Sequence, residues 1–274
     1  MHIPARSVAR DRGDLLRRDL AARGPLRVVS STEIGDVHEA QRLRYEVFYG
    51  ELNARPDALI EAAGRDFDEF DSLCDHILVL DESSSGRIVG AYRALSEGRA
   101  GFYSEREFDL APLLQRHHDL HFLELGRACV LAPYRTRPVL ELLWQGIWNY
   151  VRAQAIDVMF GCVSFAGADP VAHERQLSFL AHNFMAPEAW RVTALPDRKA
   201  SLRPLSKHSY DARQIVKTLP PLLKGYLRLG CYIGDGVVID EQFNSTDIFV
   251  ILPVANINSR YFSRFGAPGQ GISC

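Results

Sequence analysis

The chain has 274 residues, with 32 Lys and Arg against 34 Asp and Glu, a formal net charge of −2, 47% apolar residues and 24% charged residues. This is a globular composition with enough chain to bury a large core, and it excludes a disordered chain. No apolar run approaches the ~20 residues that span a bilayer, and the first residues lack the apolar stretch of a secretory signal, so the expectation is a cytoplasmic protein.

Residues 1–24 read as a basic N-terminal extension, in which Arg6, Arg10, Arg12, Arg17, Arg18 and Arg23 stand against Asp11, Asp14 and Asp19. The stretch from Asp14 to Arg23 reads either as a basic amphipathic helix with Leu15, Leu16 and Leu20 on one face, suited to an anionic membrane surface, or as a solvated tail. Residues 25–274 read as a single domain, because no linker or change of composition divides them. Arg27 to Ser30 is a short strand. Ser31 or Thr32 then caps a helix from Ile34 to Leu52, whose apolar residues Ile34, Val37, Ala40, Leu43, Val47 and Phe48 recur at helical spacing. The stretch from Asn53 to Asp71 breaks that pattern with Pro56, Gly64 and a run of acids, Glu61 and Glu69 among them, and reads as a long functional loop.

His76 to Asp81 and Ile88 to Leu95 form a hairpin about Ser83 to Arg87. Phe122 to Leu131 is a longer strand. Pro138 opens a helix from Val139 to Arg152, and Val158 to Phe165 is a buried strand. A helix from Val171 to His182, a strand from Trp190 to Leu195, a helix from Leu219 to Leu229 and a strand from Ile248 to Val254 complete the chain. This order predicts an α/β (α+β) domain with a mixed sheet.

The chemistry-bearing patterns are few. Five Cys lie far apart without a CxxC pair, which speaks against zinc and disulfide frameworks; Cys129 and Cys162 sit in apolar runs as small hydrophobes. His117, His118 and His121 cluster without an acidic or Cys ligand to complete a metal site. Neither a P-loop nor a dinucleotide fingerprint is present, and nothing points to a nucleic-acid partner. The stronger signal is charge inside apolar runs: Glu124 and Arg127 within Phe122 to Leu131, Arg93 in the returning hairpin strand, and Asp68 and Asp71 beside Phe67 and Phe70. Strand geometry puts Arg127 on the face opposite Glu124 unless a bulge intervenes. A buried charge without a partner is costly, so these residues form either a packing network of ion pairs or a polar pocket where the sheet splays. Of the basic residues 28 are Arg and only four are Lys; compositional bias explains most of this excess, and an anionic partner met by Arg is the functional alternative.

At these residues the sequence resembles the GNAT acyltransferase superfamily, and within it the acyltransferases of ornithine-lipid biosynthesis, a family also called hemolysin-like. The matching segments include RYEVFYGEL (Arg44 to Leu52), GRIVGAYRAL (Gly86 to Leu95), GFYSEREFDL (Gly101 to Leu110), LELGRACVLAPYR (Leu123 to Arg135), FGCVSFAGADP (Phe160 to Pro170) and GDGVVIDEQFNSTDIFVILPV (Gly234 to Val254). A subset is similar to the acyl-homoserine-lactone synthases: Arg44 and Phe48 on the first helix, the acid pair Asp68 and Asp71, Arg93, and Glu124-x-x-Arg127. The resemblance implies a GNAT acyl-CoA N-acyltransferase-like fold, with a mixed, mostly antiparallel sheet splayed at its central strands and helices on both faces. It implies transfer of a (3-hydroxy)fatty acyl chain from acyl carrier protein to the α-amine of L-ornithine, without a tightly bound cofactor. The alternatives are an N-acyl amino acid synthase for another amine, a signal synthase of the homoserine-lactone type, and a non-catalytic or membrane-lytic protein.

The resemblance also sets expectations for individual residues. Glu124, directly or through a water, is the general base; backbone N–H groups near Cys129 form the oxyanion site; Arg93 or Arg127 holds the substrate carboxylate; Asp68 and Asp71 attract the cationic side chain and order the loop. The turn Ala132 to Pro138 departs from acetyl-CoA-using relatives, having two Pro and no Gly. A pyrophosphate therefore loses backbone donors there, and Arg135, Thr136 and Arg137 suit the single phosphate of a phosphopantetheine arm. This favours the acidic carrier protein over CoA, with peripheral contact on the inner membrane face through the N-terminal arginines.

Overall fold

The computed structural model describes residues 16–96, 98, 101–257 and 261. Two strands open the chain, β1 (Arg17–Arg23) and β2 (Leu26–Ser31), joined through Pro25 and Gly24, whose φ of 58° suits the tight turn. This corrects the helix expected from Asp14 to Arg23: from Arg17 onward the segment is an edge strand, and Asp14 and Leu15 lie outside the described residues. The helical reading had three leucines to bury. The strand instead gains an antiparallel ladder with β2, from Arg17↔Ser31 to Arg23↔Leu26, and Asn149 Nδ2 donates to the Leu20 carbonyl at 2.7 Å. Arg17 pairs with Asp36 and Arg23 with Glu141, and such charges keep an open sheet edge from templating another strand.

Helix α1 (Ile34–Tyr45) runs on as π-helix over Glu46–Glu51, so the expected helix reaches its expected end with a widened last turn. Its N-cap position is Glu33, and Ser31 Oγ accepts from the Glu33 N–H at 3.2 Å. The acidic loop holds more structure than expected. Asp57 Oδ1 accepts from the N–H groups of Leu59 and Ile60 at 2.8 Å and starts α2 (Ala58–Ala63), which Gly64 ends, and a 3-10 turn follows over Glu69–Ser72.

The hairpin of β3 (Asp75–Asp81) and β4 (Arg87–Ser96) forms as expected. Then come β5 (Phe108–Asp109), α3 (Ala111–Arg116), β6 (Phe122–Val130), α4 (Arg137–Ala153), β7 (Val158–Ala166), α5 (Glu174–Phe184) and β8 (Thr193–Ala194). The last elements are α6 (Ala212–Thr218), α7 (Pro221–Leu229), β9 (Tyr232–Ile233), β10 (Val238–Asp240) and β11 (Ser245–Pro253). The strand expected from Trp190 to Leu195 shrinks to two residues. Trp190 closes a 3-10 turn and stacks on His117 with ring centroids 4.0 Å apart, and β8 pairs with β5 as a two-residue ladder.

The main sheet has the order β1-β2-β3-β4-β6-β7-β11-β10, with β9 also paired to β11. Every pairing is antiparallel except β6 with β7. Ile77, Leu78 and Val79 of β3 are each fully buried, so both faces of the sheet are covered. α4 lies against β1, β2 and β3, while α1 lies against β3, β4 and β6. A Cβ on Gly146 would stand 2.4 Å from a Val28 methyl, which explains a glycine within the long helix where it crosses β2. Among the described residues no helix is long and apolar enough to cross a membrane.

Candidate active site

The site forms where the sheet splits. β6 and β7 pair over three positions, Phe122↔Val158, Leu123↔Met159 and Glu124↔Phe160, after which β6 follows β4 and β7 follows β11. At the fork a Cβ on Gly161 would lie 2.3 Å from the Leu125 carbonyl oxygen, so the strands touch there through backbone alone. A cavity of about 30 Å³ sits in the fork, lined by Leu125, Trp144, Met159, Gly161 and Tyr226 among others.

A bulge does intervene on β6. Ala91 pairs with Cys129 and Arg93 with Gly126, so Tyr92 faces both Arg127 and Ala128. Arg127 takes a φ of 52°, a left-handed conformation that costs a non-glycine residue about 1 kcal/mol or more. The result is that Arg127 and Arg93 meet the same carboxylate. Arg93 contacts Asp68 at 2.5 Å and Asp71 at 3.6 Å, while Arg127 contacts Asp68 at 3.3 Å and Asp66 at 3.5 Å. Arg44, with a side chain 1% exposed, contacts Asp66 and Asp71 at 2.8 Å each. Gln41 donates to Asp71 at 3.2 Å and Tyr49 to Asp66 at 3.0 Å.

Three arginines and three aspartates thus neutralise one another. Burial alone would push the Asp71 carboxyl up, but hydrogen bonds and charge from Arg44, with the charge of Arg93, hold it well below the usual carboxylate range. Asp68 is lowered in the same way, burial being outweighed by Arg93 and Arg127. Aromatic rings cover the network: the Arg127 guanidinium lies 4.3 Å from the Phe243 ring and 4.9 Å from the Tyr103 ring. Phe48, on the π-helical turn, meets Phe243 edge-on at 5.5 Å.

Glu124 stands at the fork with 5% exposure. It accepts from Tyr103 N–H at 2.7 Å, from Ser104 N–H at 2.8 Å and from the Ser104 hydroxyl. Burial raises its carboxyl above the ordinary Glu value, although these hydrogen bonds oppose the rise. Beyond Ser104 a second acidic group opens. Burial and the Asp247 and Asp240 carboxylates push Glu107 up to about 7, and burial pushes Asp247 up to about 6. Cys129 is buried, and burial pushes its thiol up to about 12, so at neutral pH it is a protonated small hydrophobe.

The turn ahead of α4 carries the remaining expected residues. Arg135 donates to the Val130 carbonyl at 2.8 Å and also pairs with Glu51. Thr136 occupies the N-cap position without a side-chain cap bond, and the Arg137 side chain is 84% exposed and pairs with Glu141 at 2.8 Å. The structure therefore draws Arg44, Asp68, Asp71, Arg93 and Arg127 into one network, with Phe48 at its aromatic edge and Glu124 beneath. Arg135, Thr136 and Arg137 lie apart at the helix start.

Sequence reasoning missed Asp66, Tyr103, Ser104, Glu107, Phe243 and Asp247. Asp66 had a signal, since it lies in the acidic loop. Tyr103, Ser104 and Glu107 lie in a segment with no periodicity, and only the return of the chain over β6 reveals them. Of the three clustered histidines, His117 bonds the Ala189 carbonyl and His121 the Ala155 carbonyl.

A family model described as an acetyltransferase (GNAT) domain matches residues 43–145. The L-ornithine N(alpha)-acyltransferase of Brucella abortus (strain 2308) is 46% identical over 252 residues, covering 89% of this chain and 90% of the relative. That of Agrobacterium fabrum is 45% identical, covering 87% of this chain and 84% of the relative. The solved structure of an N-acyl amino acid synthase from uncultured soil microbes is 10% identical with a TM-score of 0.48, covering 86% of this chain and 97% of its own.

Proposed function

The chain belongs to the L-ornithine N(alpha)-acyltransferase family, and from that premise we propose that it transfers a (3-hydroxy)fatty acyl chain from acyl carrier protein to the α-amine of L-ornithine, giving a lyso-ornithine lipid. The observation that carries this reading is the buried Glu124 carboxylate at the fork, raised above its ordinary value beside an opening between strands. An α-amine is largely protonated at neutral pH and must lose a proton before it attacks a thioester. Glu124 takes that proton, directly or through one water, a role worth ~10²–10⁴-fold in rate.

Amides of β6 beyond the bulge, near Cys129, have no strand opposite them on the β7 side and stabilise the developing oxyanion. Arg127 is assigned to the substrate carboxylate, because its side chain is 13% exposed against 4% for Arg93 and 1% for Arg44, and it comes no closer than 3.3 Å to a carboxylate, whereas Arg93 reaches one at 2.5 Å and Arg44 at 2.8 Å. Asp68, 15% exposed, is the network carboxylate assigned to the distal ammonium, while Asp71 and Arg93 hold the frame. Arg135, Thr136 and Arg137 receive the phosphate of phosphopantetheine through their side chains at the start of α4. The donor is thus carried on the protein partner and no cofactor is held tightly. The N-terminal arginines suit peripheral contact with the inner membrane face, where an amphiphilic product partitions.

The decisive experiment is acyl transfer by the purified enzyme to L-ornithine, supplied with acyl carrier protein or CoA thioesters of equal chain length, together with mass spectrometry of lipids from expressing cells. An ornithine-bearing monoacyl species made preferentially from the carrier thioester is expected. Transfer to a different amine, or no ornithine-bearing lipid, overturns the reading.

A further inference from the structure

Four side chains form one line across the fork. Glu124 accepts from the Ser104 hydroxyl; Ser104 Oγ lies 3.6 Å from Cys162 Sγ; and Cys162 Sγ lies 3.8 Å from Glu107 Oε2, contacts within the longer reach of sulfur hydrogen bonds. Glu107 Oε1 lies 3.6 Å from the guanidinium of Arg198, whose side chain is 44% exposed. The line begins at the buried base and ends at the protein surface. It crosses β6, the 3-10 turn Tyr103–Arg106 and β7, so no single element produces it.

Proton accounting gives this line a role. Aminolysis of a thioester turns an ammonium and a thioester into an amide, a thiol and one free proton. The first ammonium proton leaves before attack. A second is lost from nitrogen as the C–N bond forms, and it is balanced by the proton that the departing thiolate takes up as the C–S bond breaks. One proton per turnover must therefore leave Glu124, yet that carboxylate is buried and already holds three donors.

We propose that Ser104, Cys162 and Glu107 are positioning residues that carry this proton from Glu124 to solvent. The inference rests on the assignment of Glu124 as base. When Glu124 is protonated it donates to the Ser104 oxygen, the Ser104 hydroxyl donates to Cys162 Sγ, and the thiol donates to Glu107. Each relay group ends with the proton count it began with, and Glu107 releases the proton at the Arg198 edge. Glu107 is faced by Asp247 on β11, Asp240 on β10, Cys162 on β7, Tyr103 on the 3-10 turn, and Arg198. With a carboxyl pushed up to about 7 among these groups, Glu107 can both take up and release a proton at neutral pH. A thiol is both a weak donor and a weak acceptor, so it can pass a proton on, and a serine in the same place can do the same.

The experiment measures kcat, KM and the pH profile of kcat for the full chain and for Cys162→Ala, Cys162→Ser, Glu107→Gln and Glu124→Gln, each checked for folding by circular dichroism. The expected result is a loss in kcat of about tenfold or more for Cys162→Ala, with KM for both substrates unchanged, and recovery of most of it in Cys162→Ser. Glu107→Gln is expected to remove the limb of the kcat profile near neutral pH. If Glu124→Gln is inactive while Cys162→Ala and Glu107→Gln keep full turnover and the parental pH profile, the relay is overturned and the base assignment stands. If Cys162→Ser loses as much as Cys162→Ala, the thiol only packs, and the relay is likewise overturned. Full turnover by Glu124→Gln removes the base assignment itself.

Discussion

Arg93 and Arg127 hold opposite oxygens of one carboxylate, Asp68, at 2.5 Å and 3.3 Å. Regular strand geometry would send Glu124 and Arg127 to opposite faces. The bulge opposite Tyr92, with Arg127 in the left-handed region, turns Arg127 toward the acidic segment instead.

The network is rigid because its members are buried and paired. Arg44→Ala takes from the buried Asp66 and Asp71 their closest cationic partner, and a loss of ~3–5 kcal/mol in unfolding free energy is expected by urea titration. Arg44→Lys should recover only part, since an ammonium does not reproduce the fork that spans two carboxylates. A loss below about 1 kcal/mol in Arg44→Ala would show that the network adds little to stability.

Glu124→Gln is expected to lower kcat ~10²–10⁴-fold in the purified transfer assay. The amide sets an N–H₂ group among N–H donors from Tyr103 and Ser104, so a moderate fall in Tm accompanies it while the fold remains. Unchanged turnover would assign proton removal elsewhere.

Stability should pull in opposite directions with pH. Asp68 and Asp71 are lowered in the fold, so their contribution is present above the ordinary Asp range near 4 and is lost as pH falls below it. Glu107 and Asp247 are raised to about 7 and about 6, so their contribution is present below the ordinary carboxylate range and is lost as pH rises through those values. Glu107→Gln should therefore flatten the fall in Tm between about pH 5 and 8. An unaltered slope would contradict the burial of a charged Glu107.

Gly161→Ala places a methyl against the Leu125 carbonyl at the fork, and a loss of ~1–3 kcal/mol is expected together with reduced turnover. Gly225→Ala in α7 provides the contrast, because its Cβ meets nothing within 4 Å and removing a helix glycine stabilises by up to about 1 kcal/mol. Thermal melts of both variants decide the point.

Arg137→Ala removes an exposed ion pair with Glu141 worth ~0.3–0.5 kcal/mol, so stability should hardly change. A rise in KM for the carrier thioester with kcat unchanged is the expected mark of a phosphate contact, and an unchanged KM would argue against it.

The sequence by itself determined the helix from Ile34, the hairpin of β3 and β4, and the helix opened by Pro138, because apolar period and turn chemistry act over a few residues. It also singled out Asp68, Asp71, Arg93, Glu124 and Arg127, since charges inside apolar runs demand partners, while Arg44 was marked only by the family resemblance. Only the tertiary structure decided who those partners are. Arg17–Arg23 became a strand because β2 offered a ladder. Arg127 changed sides through a bulge set by pairing with β4. Glu124 found its donors at Tyr103 and Ser104, and Arg44 found Asp66. Periodicity reports the faces of one element; which distant side chain reaches a buried charge depends on how the chain returns, and the local pattern carries no record of it.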